Sequence, residues 1–262
     1  MTEPSPSDWR DHWHGRTDHP FFAALTERIE PFGFSWIGAD IDDYSGLARW
    51  GRPLFDDYTL ELSLTAVHPK YLRESHFGFH ASMFVVSPRQ KQVWDELHLW
   101  ECVKLLPDLY EQVGDHAPTV AHIFLELLLD KWDSGGNPPG RPRWNRVANA
   151  DAAVCANDLA ALLERHLPRI LAYVASGPAL ADLLVNLEAL PGYPEDCGFE
   201  CEARNVCASV LLHDLGRTAE AWQALTAEER RVIAAGDDLD PEMLDVVRCQ
   251  NKRLKRWMSA AG

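Results

Sequence analysis

Tyr58-Thr59-Leu60-Glu61-Leu62-Ser63-Leu64-Thr65 alternates apolar and polar residues without a break. Successive side chains of a strand point to opposite faces. The stretch therefore predicts a strand with Tyr58, Leu60, Leu62 and Leu64 in a core and Thr59, Glu61, Ser63 and Thr65 on a wet face. His76 to Val86 repeats the pattern, with Phe77, Phe79, Ala81, Met83 and Val85 on one side and His76, Gly78, His80 and Ser82 on the other. Phe34 to Ala39 and Leu47 to Trp50 are two weaker strand candidates. Short connections between sequential strands predict an antiparallel meander.

On the N-terminal side, residues 1–17 read as a polar arm. Asp18 caps a helix whose Phe21, Phe22, Leu25 and Ile29 share one face, and Pro31 and Gly33 end it. On the C-terminal side, Thr119 to Trp132 fits a helix and a strand almost equally. Gly135-Gly136-Asn137-Pro138-Pro139-Gly140 is a turn-rich break. Helices follow: one from Asp151 to Leu167, stopped by Pro168, with Val154, Leu159, Leu162 and Leu163 as its stripe; one from Pro178 to Leu190; one from Glu202 to Leu215. After Gly216 a short helix, Thr218 to Leu225, precedes a further helix opened by the near capping box at Thr226. The expected fold is α+β: an N-terminal antiparallel sheet covered by helices, in residues 18–140, and a mainly helical half in 141–262.

The chain has 262 residues, with 40 Asp plus Glu against 25 Lys plus Arg, a net charge of −15. Phosphate backbones demand clustered cations, so nucleic acid is not an expected partner. The one basic cluster, Lys252-Arg253-Leu254-Lys255-Arg256, fits a helix end. No apolar run approaches the ~18–20 residues of a membrane span, and no secretory signal pattern is visible, so a cytoplasmic protein is expected. The acidic surplus suits a basic protein partner. Asp40, Asp42, Asp43, Asp56 and Asp57 flank the strands as an acidic rim. Trp36 and Trp50 are candidate anchors among the ten Trp, and His76 and His80 candidate members of a binding face.

Cys102, Cys155 and Cys249 read as buried free thiols, and disulfides are not expected. Cys197, Cys201 and Cys207 are spaced C-x₃-C-x₅-C, three thiolates without a close fourth ligand. His12 and His14 sit in the arm, with His19 just after it. Neither group makes a resident metal or other cofactor the expectation. Local nucleotide-binding, serine-hydrolase and zincin motifs are all missing from the sequence.

Val210-Leu-Leu-His-Asp-Leu-Gly216 is the one lead toward catalysis. It looks like the His-Asp doublet of HD-type metal-dependent phosphohydrolases. That resemblance implies His213 and Asp214 as ligands, with His166 as an upstream ligand and an Asp among 237, 238 and 240 downstream. The metal would lower the pKa of a water that attacks phosphorus.

A second resemblance runs through residues 20–225. Its cues are Pro31-Phe-Gly-Phe34, the strand pair Tyr58–Thr65 and Phe77–Ser87, and Ser87-Pro88 ahead of Trp94. Further on come Arg143-Trp-Asn-Arg-Val147, Asn149-Ala-Asp-Ala-Ala153 and Leu212-His-Asp-Leu-Gly-Arg-Thr-Ala-Glu-Ala221. In that order they resemble a bacterial family of uncharacterised α+β proteins of the kind that occurs as immunity proteins to polymorphic toxins. The resemblance implies a cytosolic binding protein without defined catalytic residues. The preferred expectation is a protein that sequesters or blocks a toxin or effector; the phosphohydrolase is the alternative.

Overall fold

The structure, a computed structural model, describes residues 20–41, 46–66, 76–104, 119–123, 125, 147–148, 152–190, 199–201, 203–236 and 242–260. Helix α1 (Pro20–Ile29) leads, with Pro20 at its start, where a missing N–H costs nothing. A 3₁₀ turn, Glu30–Phe32, follows, and Gly33 closes it at φ 85°, donating its N–H to the Glu30 carbonyl at 2.8 Å. Asp18, the expected cap, lies outside the described residues.

The strands are β1 (Ser35–Ile41), β2 (Gly46–Phe55), β3 (Tyr58–Ala66), β4 (His76–Phe77), β5 (Phe79–Val86), β6 (Ala121–Ile123), β7 (Val147–Ala148) and β8 (Phe199–Glu200). Six form one antiparallel sheet in the order β1-β2-β3-β5-β6-β8; β4 and β7 pair separately. The expected strand from His76 to Val86 is thus two strands. His76 pairs with Ala148, whereas His80 pairs with Thr65, and Gly78 separates them. The ambiguous Thr119–Trp132 segment contributes β6; most of its remainder lies outside the described residues.

Alternation decides which face is dry. Trp50, Leu60, Leu62, Leu64, Phe79, Met83 and Val85 are all fully buried on one face of the sheet. Helix α1 lies on that face: Phe21 meets the Phe79 ring at 5.0 Å, and Trp50 donates its indole N–H to Thr26 Oγ1 at 2.8 Å. Burying one such aromatic side chain is worth about 2–3 kcal/mol.

Among the described residues the remaining helices are α2 (Pro88–Glu96), α3 (Trp100–Val103), α4 (Ala152–Val174), α5 (Gly177–Val185), α6 (Arg204–Asp214), α7 (Thr218–Ala235) and α8 (Met243–Ala260). Helix α4 runs through Pro168 rather than stopping before it. Proline removes one helical hydrogen bond, but the buried stripe of Leu159, Leu163, Leu167, Ile170 and Val174 continues across it and packs beside α1. Val154, expected in that stripe, is 67% exposed. Helix α7 is likewise one helix across Thr226. The Thr226 hydroxyl donates back to the Trp222 carbonyl at 3.1 Å instead of capping a new helix.

Helix α6 is the hub of the helical half. Every residue from Asn205 to Leu212 is buried, so it has no wet face. Gln90 of α2 donates both to Tyr58 Oη (2.9 Å) and to the Cys207 carbonyl (3.1 Å), joining β3, α2 and α6 through one buried amide. A single apolar cluster includes side chains from both halves. Among the described residues no single helix is long and apolar enough to cross a membrane; the apolar pair α4 and α5 bends by 82° between them.

Candidate functional site

Asp214 and His213 end α6, and their partners are local. Arg89 of α2 approaches the Asp214 carboxylate with both Nε (3.1 Å) and Nη2 (3.2 Å), a two-point ion pair. The same guanidinium lies 5.5 Å from the Trp257 ring centroid, and the His213 ring meets Trp257 edge-on at 4.8 Å. Hydrogen bonding to Asp214 raises the Arg89 pKa. The doublet therefore ties α2, α6 and α8 together. His166 is buried on α4, and the candidate acids at 237, 238 and 240 lie outside the described residues. Among the described residues no three His, Cys, Asp or Glu side chains converge as a metal site.

The predicted acidic rim divides. Asp42 and Asp43 lie outside the described residues, as do the side chain of Asp40 and that of His76. Asp56 is exposed at the β2–β3 turn, with φ 43°. Asp57 is occupied: its carboxylate accepts the Ser87 hydroxyl at 3.1 Å and the Arg89 backbone N–H at 2.7 Å, at the start of α2. Ser87 Oγ in turn accepts the Gln90 N–H at 3.2 Å, so two side chains share the helix's orphan donors. Asp57 is a capping residue in place of a free rim charge.

The two tryptophans also separate. They are directly paired across β1 and β2, with rings 4.9 Å apart. Trp50, one strand in, is 0% exposed, and this burial removes it from any contact surface. Trp36, on the edge strand, is 37% exposed, and its neighbour Ile37 is 46% exposed. The register slips between Trp36 and Gly38, leaving Ile37 as a bulge, and its Cδ1 lies where a Cβ on Gly51 would be, 2.8 Å away.

His80 is exposed on the outer face of the sheet, as expected. Its richest polar grouping was missed, because it needs strands far apart in the chain. His122 of β6 stacks on Phe84 of β5 at 4.4 Å, and its Nδ1 is 3.9 Å from Glu200 of β8. Burial pushes the His122 pKa down to about 4, so the imidazole is neutral at pH 7. Arg49 and Glu61 pair at 3.7 Å on the same face, beside the buried Ser63. Alternation in β3 and β5 identifies the face; only the pairing to Ala121–Ile123 and Phe199–Glu200 completes it.

The cysteines correct the sequence expectation. Cys102 of α3 and Cys249 of α8 form a disulfide, with 5.7 Å between their Cα atoms. Arg253, one helical turn further along α8, donates to the carbonyls of Leu97 (2.8 Å) and His98 (2.7 Å) and to Glu101 (2.7 Å). Cys155, Cys201 and Cys207 are free thiols, as expected for Cys155. A hydrogen bond with Cys207 and burial push the Cys201 pKa well up, which keeps it a poor nucleophile. Cys197 lies outside the described residues.

No protein-family model, no curated protein and no solved structure matches the chain.

Proposed function

We propose that this chain is a binding protein, most simply of the toxin-neutralising immunity type, which blocks a basic protein partner at the β1 edge. The observation that carries the reading is the pair Trp36 and Ile37, 37% and 46% exposed on an edge strand. Asp40, Asp42 and Asp43 follow them in sequence. An edge strand offers unpaired main-chain groups, an exposed indole offers an anchor, and the chain's net charge of −15 draws a cationic partner toward both. The bulge at Ile37 interrupts the regular edge and disfavours long strand addition by any chain, so the exposed side chains of Trp36 and Ile37 carry the contact.

The test is capture by the tagged protein over a salt series, beside a Trp36→Ala, Ile37→Lys double variant. The reading predicts a basic protein held at near-equal stoichiometry, released by salt and lost in the variant. A partner held equally by the variant sinks the β1 assignment. A cytoplasmic location belongs to the same proposal. The Cys102–Cys249 disulfide counts against that location, since reducing surroundings keep thiols reduced. If the protein works in the cytoplasm, acid quenching of intact cells and alkylation under denaturing conditions should label both cysteines, since Cys102 is fully buried in the folded chain.

A further inference from the structure

Arg52 stands on the core-facing side of β2, two residues from Trp50 and paired across the sheet with fully buried Leu60. Its side chain is half-buried, so its charged head stays within reach of solvent and solutes. Among the described residues its guanidinium makes one hydrogen bond, to the Phe32 carbonyl. The side chain passes over Gly33, where a Cβ would sit 3.8–3.9 Å from Arg52 Cγ, Cδ and Cζ.

The space beside it is a cleft of about 390 Å³ between the end of α1, β2 and the middle of α4. Phe32, Leu167 and Leu171 give it apolar walls; Arg52, Glu164 and Pro168 also line it. Pro168 has no N–H, so the helix supplies no donor to the Glu164 carbonyl. The cleft is open to solvent, with Leu167 alone of its side chains buried, and an apolar concavity with a few polar groups is the usual form of a small-molecule site. By contrast, the smaller cavity of about 220 Å³ between α5, α6 and α7 has its charged side chains and Asn205 committed, which leaves it no free charge to select a ligand. Arg204 there binds Leu184, Val185 and Glu188, Asn205 binds Gln250 and Asn251, and Glu228 binds Arg231.

We infer that the Arg52 cleft binds a small monocarboxylate with a branched or aromatic apolar body. The remaining guanidinium donors take the carboxylate, and Phe32, Leu167 and Leu171 take the body. The rim carboxylate of Glu164 and the chain's net charge of −15 set a single negative charge as the limit and disfavour phosphate. This site is separate from the β1 edge and does not depend on it.

The probe is 4-methylpentanoate, followed by saturation-transfer NMR and titration to about 10 mM, with 4-methylpentylamine and inorganic phosphate alongside. Saturable binding of the acid, without binding of the amine or phosphate, is expected. Arg52→Gln should weaken it by at least about tenfold. Glu164→Gln, at an exposed position whose change leaves the fold intact, should tighten it by about threefold through loss of a like charge. Leu171→Trp should block it. No saturable binding of the acid overturns the inference. So does equal binding of the amine, or an affinity unmoved by Glu164→Gln and Leu171→Trp in variants with wild-type circular dichroism.

Discussion

Reducing the Cys102–Cys249 bond should lower stability by several kcal/mol while leaving the native contacts in place. The cross-link closes a loop with a sequence separation of 147. On the chain-entropy argument, a loop of that length removes about 17 cal/mol/K from the unfolded ensemble, or about 5 kcal/mol at 25 °C. Native disulfides deliver about 2–5 kcal/mol, so about 3–5 kcal/mol is the expected loss. Arg253 still grips the Leu97 and His98 carbonyls and Glu101 after reduction, so α3 should stay docked on α8. The assay is equilibrium urea unfolding followed by tryptophan fluorescence, with and without reductant, and for a Cys102→Ser, Cys249→Ser double variant. The double variant without reductant should match the reduced wild type, because Cys155, Cys201 and Cys207 form no bond to lose. A loss below about 1 kcal/mol would refute the entropic account. Free thiols at both positions in the purified, non-reduced protein would refute the bond itself.

Three further outcomes follow from local geometry. Asp57→Ala should cost about 1–2 kcal/mol in thermal or urea unfolding, because it frees the Ser87 hydroxyl and the Arg89 N–H at the start of α2; a neutral result would return Asp57 to the rim. Gly51→Ala should cost less than about 1 kcal/mol in urea unfolding, since the one atom its Cβ would meet under 3 Å is Ile37 Cδ1, the far end of an exposed side chain that can swing aside; a loss above about 2 kcal/mol would show that Ile37 is held in place. His122 has a folded pKa of about 4 against 6.5 when unfolded. The unfolded chain therefore binds the extra proton between those values, and the contribution of neutral His122 is present above pH 6.5 and lost as pH falls toward 4. Discounted for solvent screening of a partly exposed ring, about 2 kcal/mol is the expected size. His122→Phe should flatten that part of the stability profile.

Short-range physics was legible in the sequence. The alternation of Tyr58–Thr65 specified β3 with its buried and wet sides, and Phe79–Val86 specified β5. The face of Phe21, Phe22, Leu25 and Ile29 specified α1 and what it covers. What failed needed a third dimension. Trp36 and Trp50 occupy the same face in register, and only lateral position in the sheet separates an exposed indole from a buried one. Thr226 and Pro168 carry local signals for helix ends, and packing along α7 and α4 overrides both. Cys102 and Cys249 carry no spacing signal, because the return of α8 to α3 is what joins them. The His122–Glu200 grouping and the Arg52 cleft were invisible for the same reason.

The burial of α6 from Asn205 to Leu212 carries a consequence for synthesis. Roughly 120 residues separate the end of β5 from its first turn, about 6–24 s of translation at ~5–20 residues per second. Throughout that interval the nascent chain has made its hairpins but lacks both the last strand, β8, and the rod that the other helices clasp. An emerging chain with that much uncovered apolar surface is a client for a holdase. Slowing the ribosome in this window should lower the soluble yield more than slowing it after residue 214.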